Sequence, residues 1–204
     1  MSTLDKRWLL ATQLLNGTVT IGALVVIGLI VQEPARLTDP AWVIWCIVII
    51  GGFHTLEEYT LPGGFIRWFN REYFASRNDN FPLSTKKAFL TDSLAGAAIV
   101  VTVAFAGTTL YWLSLGFVSL MFVNGMVHIA DSITRGRYSP GVVSSLLLNV
   151  PLGGYIVYFY VAGGHAGVLD VAIAYAIGVV GHLLFYRMIR SEMAAHPARM
   201  QEAA

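Results

Sequence analysis

Between Ala41 and Thr60 the chain reads AWVIWCIVIIGGFHTLEEYT. Its length matches the ~20 residues that cross a hydrocarbon core of roughly 30 Å. Backbone groups in lipid must bond to one another, so a span of this kind is a helix. Working outward, comparable apolar runs lie at about 8–31, 88–107, 109–133, 141–162 and 166–188, beside this one at 41–60. The expected fold class is therefore all-α: a polytopic six-helix transmembrane bundle forming a single integral-membrane domain over 1–204, with a short interfacial cytoplasmic segment between the second and third spans. Lys6-Arg7 precedes the first span, but that span is long and lacks a small-residue cleavage site, so it reads as a retained helix and not a signal peptide.

Composition agrees. Of 204 residues, 56% are hydrophobic and 12% charged, about half the roughly 25% charge of globular proteins; the mean hydropathy is +0.65. The net charge of +1 gives no footing for nucleic acid or other polyanions. Cys46 is the one cysteine, which excludes an internal disulfide and Cys-based zinc or iron–sulfur sites. A metal here must use histidines and carboxylates.

Charge placement sets the expected orientation, because cytoplasmic loops carry the Lys/Arg excess. Lys6 and Arg7 precede the first span; Arg67, Arg71, Arg77, Lys86 and Lys87 lie between the second and third; Arg135 and Arg137 follow the fourth; Arg187, Arg190 and Arg199 come at or after the end of the sixth. Arg36 alone falls opposite. Both termini are expected in the cytoplasm. The outer turns, at Gly107-Thr108 and Gly163 to Gly167, are short and pair their helices tightly. In the longest connection Phe65, Ile66, Trp68, Phe69, Tyr73 and Phe74 alternate with Arg67, Arg71 and Arg77. That mixture suits the headgroup layer, and the segment 64–80 reads either as an anchor or as a lid over a site.

Ionisable groups inside spans are costly and mark function. His54, Glu57 and Glu58 stand at i, i+3 and i+4 on the second span; Asn124, His128, Asp131 and Arg135 form a stripe on the fourth. The sixth carries His182, the third Asp92 and the fifth Asn149. Under the charge-derived topology the three histidines and these acids fall at one depth near the cytoplasmic face. This set of imidazoles and carboxylates suits iron, zinc or manganese over a soft metal. The expected ligands are His54, Glu57, Glu58, His128, Asp131 and His182, holding one or two ions of iron or zinc. Glu58 and Asp92 are the expected catalytic acid/base groups, and Asn124, Tyr138 and Asn149 are expected to touch substrate or support the ligands. Adjacent Glu57 and Glu58 diverge by about 100° on a helix, so one suits the metal and the other an orienting or proton-transfer role. Asn149-Val150-Pro151 predicts a kink within the fifth span.

His54-Thr55-Leu56-Glu57-Glu58, followed by Asn124-Gly125-Met126-Val127-His128 and Tyr138-Ser139-Pro140-Gly141, resembles the HXXEE family of bacterial membrane proteins. The resemblance spans positions 54 to 141. It implies a location in the bacterial inner membrane and marks the motif residues as the site; the family has no assigned activity. The paired glutamates are also chemically similar to those of intramembrane CAAX-type proteases. This chain departs from that pattern, with Pro62 in place of arginine four residues after Glu58.

The expected function is a membrane-embedded metalloenzyme acting on a membrane lipid or lipophilic small molecule, such as an isoprenoid or acyl chain, that enters sideways. Iron would support oxidative chemistry, favoured by the carboxylate-rich ligand set; zinc would support hydrolysis. A metal-free terpenoid isomerase or cyclase, a proton- or ion-coupled transporter and a scaffold subunit are the other readings. The transporter loses weight because the spans show no repeat and no paired broken helices.

Overall fold

In a computed structural model the described residues are 3–106 and 109–202. The regular structure among them is helical throughout. Six helices are long and apolar enough to cross a membrane: α1 Thr3–Gln32, α2 Pro40–Tyr59, α3 Thr85–Phe105, α4 Tyr111–Arg135, α5 Val142–Ala162 and α6 Val168–Ala195. The chain is an integral membrane protein. The expected outer turn at Gly107-Thr108 lies outside the described residues.

The helices run a few residues past the apolar stretches at several ends, most of all in α6. Beyond Met188 the helix continues as a polar extension, and its Glu192 carboxylate takes the Lys87 ammonium at 2.8 Å. α1 packs along α2, and α4 along α6. Polar contacts reinforce both pairs, as expected where lipid removes the hydrophobic drive between helices. Thr20 Oγ1 on α1 donates to the Gly52 carbonyl of α2 at 2.9 Å, and Asn124 of α4 meets His182 of α6 at 3.3 Å.

Two apolar clusters divide the bundle. One includes Ala23, Val43, Ile47, Ile50, Leu115, Val118, Ile156 and Tyr160. The other joins Tyr59, Phe65, Ile66, Phe69, Phe74, Leu83, Ala88 and Ile189 at the end that carries the basic residues. On α2 the first cluster stops at Ile50 and the second begins at Tyr59. His54, Glu57 and Glu58 occupy the interval, all buried.

The α2–α3 connection is a folded part of the protein and more than a surface anchor. Phe65, Ile66, Phe69 and Phe74 turn into the second cluster, while Arg67 and Arg71 stay outside and both pair with Asp79. Asn70, fully buried, ties the segment together. Its Nδ2 donates to the carbonyls of Asp79 and Leu83, each at 2.8 Å, and its Oδ1 accepts from the Leu83 N–H at 2.9 Å. Asn70→Ala orphans three backbone groups, the two of Leu83 buried and the Asp79 carbonyl partly so, at about 1–3 kcal/mol for each buried group left unsatisfied. We expect trypsin to cut the variant at Arg71 and Arg77 at least about tenfold faster than the wild type; unchanged digestion would refute the role.

α5 departs from a regular helix where the sequence predicts it. Pro151 has no N–H to give to the turn before it, and a wider π turn runs over Ser145–Asn149. Such turns recur at functional sites. Here the turn carries Asn149 against α4, and a Cβ on Gly125 would stand 2.8 Å from the Asn149 Cβ. Glycine at 125 is what lets α5 approach the helix bearing His128.

Candidate metal centre

Three buried side chains converge between α2 and α4. His54, Glu58 and His128 each offer one ligand atom, and these atoms lie within 4.8 Å of one another. Glu58 Oε1 stands 3.5 Å from His54 Nε2 and 3.3 Å from His128 Nε2. The two imidazoles meet edge to face, with centroids 5.1 Å apart. The i, i+4 spacing of His54 and Glu58 stacks them on one face of α2, and α4 brings His128 to the same level.

Hydroxyl groups hold the far side of both rings. His54 Nδ1 lies 3.0 Å from Ser144 Oγ. Ser144 Oγ donates its own proton to the Gly141 carbonyl at 3.1 Å, so it accepts from the imidazole. With its proton on Nδ1, toward this hydroxyl, His54 presents the Nε2 lone pair on the side of Glu58. Asn149 also contacts His54 Nδ1, at 3.2 Å. The two ends of an amide are interchangeable in shape. With Oδ1 turned toward the ring, Asn149 shares the Nδ1 proton with Ser144. His128 Nδ1 lies 3.0 Å from Ser139 Oγ in the same manner. Partners of this kind orient imidazole ligands in metal sites.

Glu57 turns away from this group. Its Oε1 accepts from the Tyr138 hydroxyl at 2.9 Å and the Val143 N–H at 3.1 Å, and its Oε2 from the Ser144 N–H at 2.7 Å. The residue before α5, Gly141, has no side chain to cap the helix. The carboxylate arriving from α2 serves instead, placed at the positive end of the helix dipole. Burial and the bond to Glu57 push the Tyr138 phenol above the usual tyrosine range, which keeps it a neutral donor.

The other expected ligands are not brought into the three-donor group. Asp131 lies one turn below His128 on α4, and its Oδ1 pairs with Arg135 Nε at 2.5 Å. Arg135 in turn reaches the Glu72 carbonyl at 2.5 Å. His182 is one amide removed: its Nε2 is 3.3 Å from Asn124 Oδ1, while Asn124 Nδ2 contacts His54 Nε2 at 2.7 Å. Asp92 bonds the Tyr59 hydroxyl.

A cavity of about 460 Å³ opens onto this layer, its wall including His54, Glu58, Asp92, Asn124 and His182. The rest of the wall is mostly apolar, with Val19, Ile47, Val48, Ile99, Leu120 and Phe185 among it. This size and lining are those of a small-molecule site. Toward the basic end the site is closed: the Phe65 and Trp68 rings lie 6.0 and 6.1 Å from the His128 ring.

The spacing His-x-x-Glu-Glu, with one glutamate on the histidine pair and the other on a helix start, is the feature that comparison with known proteins picks out. A family model described as a protein of unknown function with an HXXEE motif matches residues 42–156. The chain belongs to the HXXEE family. That match takes in His54, Glu57, Glu58 and His128 together with Ser139, Gly141 and Ser144. An uncharacterized protein, YrkK, of Bacillus subtilis (strain 168) is 31% identical to this HXXEE protein over 48 residues. Those residues are 23% of this chain and 30% of the relative, so the match spans under a third of that protein's length. No solved structure matches the chain.

Sequence reasoning missed several supporting residues of this HXXEE site. Tyr138, expected near the site, bonds Glu57, but its neighbours are not singled out: Ser139 holds His128, and Gly141 lies under both rings. Ser144 carried no signal beyond being a polar residue in an apolar span.

Proposed function

We propose that this protein is a metal-dependent membrane enzyme in which His54, Glu58 and His128 hold one metal ion and a lipophilic substrate occupies the neighbouring cavity. The observation that carries this reading is the convergence of two imidazoles and one carboxylate, buried, with both rings fixed through Nδ1. Two histidines and one carboxylate with open positions are the donor set of non-haem iron oxygenases. Iron in such a set supplies dioxygen-dependent oxidation of an unactivated chain, which suits a cavity walled by aliphatic and aromatic side chains. The same three donors also suit zinc and hydrolysis, and the metal found decides between them.

The chain's own groups have separable tasks in this reading. Ser139 and Ser144 keep the two Nε2 lone pairs directed at the ion. Asn124 gives up its contact with His54 Nε2 when a cation takes that lone pair. Asp92, hydrogen-bonded to Tyr59, receives or returns a proton beside the substrate. By the excess of Lys and Arg, the end bearing this layer faces the cytoplasm and both termini lie there. In a bacterium that places the chain in the inner membrane.

Elemental analysis of detergent-purified protein tests the reading. About one equivalent of iron or zinc per chain is expected, as a single three-donor group dictates. His54→Ala, His128→Ala and the near-isosteric Glu58→Gln should each drop it below about a tenth, since losing one of three donors removes orders of magnitude in affinity. A visible or near-ultraviolet band that responds to dithionite identifies iron. Wild-type protein devoid of metal after expression with both supplied would overturn the proposal.

A further inference from the structure

The cavity is polar at more than its metal-facing wall. Asn16, on α1, is 2% exposed and lines the same cavity as Glu58 and Asp92. Its Nδ2 has no hydrogen-bond partner among the described residues. A buried amide N–H left without an acceptor costs about 1–3 kcal/mol, so Asn16 is a donor in want of one. Asp92 supplies the complement. Its carboxylate takes the Tyr59 hydroxyl on one oxygen; the other has a 3.2 Å contact with the Thr91 hydroxyl, whose proton goes to the Lys87 carbonyl at 2.9 Å. Each oxygen has a second lone pair, and the side chain faces the cavity.

The smallest neutral group that both accepts from an amide and donates to a carboxylate is a hydroxyl. No lysine or arginine lines the cavity, whereas two carboxyl groups, Glu58 and Asp92, do. The remaining ionisable groups of the wall, His54 and His182, are both engaged by Asn124. Away from the metal-binding group, at the Asn16–Asp92 end, an anionic headgroup would meet the Asp92 carboxylate with no lysine or arginine to balance it, and an alkane would leave the Asn16 donor unsatisfied.

We infer that the ligand of this cavity is a neutral lipophilic alcohol, its hydroxyl held between Asn16 and Asp92 and its chain along the apolar wall. This deepens the enzymatic reading by naming the substrate class, and assigns Asn16 on α1 as a specificity-determining residue.

The test measures saturable binding of tritiated 1-tetradecanol to the full chain in phosphatidylcholine nanodiscs, with tetradecane and tetradecanoate as competitors. The alcohol should displace label at least about tenfold better than either competitor, the factor expected of one buried hydrogen bond or one uncompensated charge. Asn16→Leu should weaken alcohol binding about tenfold and leave tetradecane competition unchanged. Asp92→Asn, which keeps the shape, should let tetradecanoate compete about tenfold better than in the wild type. That gain cannot come from misfolding. Equal competition by alkane and alcohol, preference for the carboxylate in the wild type, or selectivity unchanged in both variants would each overturn the inference. The same measurement after chelator treatment separates the two proposals. Alcohol selectivity in a protein that never holds metal leaves this inference standing and removes the metalloenzyme. A metal-loaded protein without that selectivity does the reverse.

Discussion

Gly141→Ala should lower the apparent thermal midpoint of the detergent-solubilised protein by about 10 °C and release the proposed metal ion. The Gly141 backbone sits at φ 103 and ψ −9, in the left-handed region where a side chain costs roughly 1–3 kcal/mol. A Cβ there would also lie 2.8 Å from His54 Cε1 and 3.0 Å from His128 Cε1. Moving either ring away would break its hydrogen bond to Ser144 or Ser139. Crowding of this kind in a packed interior costs typically 1–3 kcal/mol more. Together these come to about 2–6 kcal/mol, the middle of which, for a chain of this size, is about 10 °C at the 2–4 °C that each kcal/mol moves a midpoint. The same displacement would spoil the ligand geometry before the protein unfolds, so metal content should fall even in the cold. A variant as stable and as metal-rich as the wild type would show that the close packing of Gly141 on the rings is unimportant.

The second large effect separates two neighbours in the chain. Glu57→Ala should cost about 2–5 kcal/mol, because it strips the acceptor from the buried Ser144 N–H, at about 1–3 kcal/mol, and from the partly exposed Val143 N–H and Tyr138 hydroxyl, at less for each. Glu57→Gln keeps a single side-chain oxygen and should recover about half of that. In both, the fraction that folds should carry as much metal as the wild type. Glu58→Gln should behave in the opposite way, keeping the thermal midpoint within a few degrees while losing the metal. Thermal unfolding and metal content measured on all three variants decide the matter. Folded Glu57→Ala protein without metal, or Glu58→Gln protein with it, would reverse the roles given to the two carboxylates.

Six spans and the depth of the histidines are legible in the sequence because both are one-dimensional: apolar length and position along the span. Helix rotation is harder to read. Glu57 and Glu58 point about 100° apart, and either could face the histidines when α2 is buried on several sides, as Glu57, Glu58 and Tyr59 all are. What decides is α5, whose capless start at Gly141 draws Glu57 toward it. Asp131 shows the complementary difficulty. Its i, i+3 spacing from His128 puts it on the right stripe, but Arg135 one turn on is a closer partner than the histidine layer. The serines escaped notice because a hydroxyl in an apolar helix has an ordinary alternative, bonding back to its own helix as Thr55 and Thr134 do.

The stretch by which the family is recognised, residues 42–156, takes in the histidine–glutamate cluster and everything that braces it, whereas Asn16 and His182 belong to the first and last helices, beyond its limits. If the proposed ion and the proposed alcohol site are both correct, reactivity lies wholly inside the family stretch, while selectivity is shared between Asp92 within it and Asn16 outside it. A chimera that borrows only the outer two helices then exchanges one half of the substrate clamp and keeps its host's reaction.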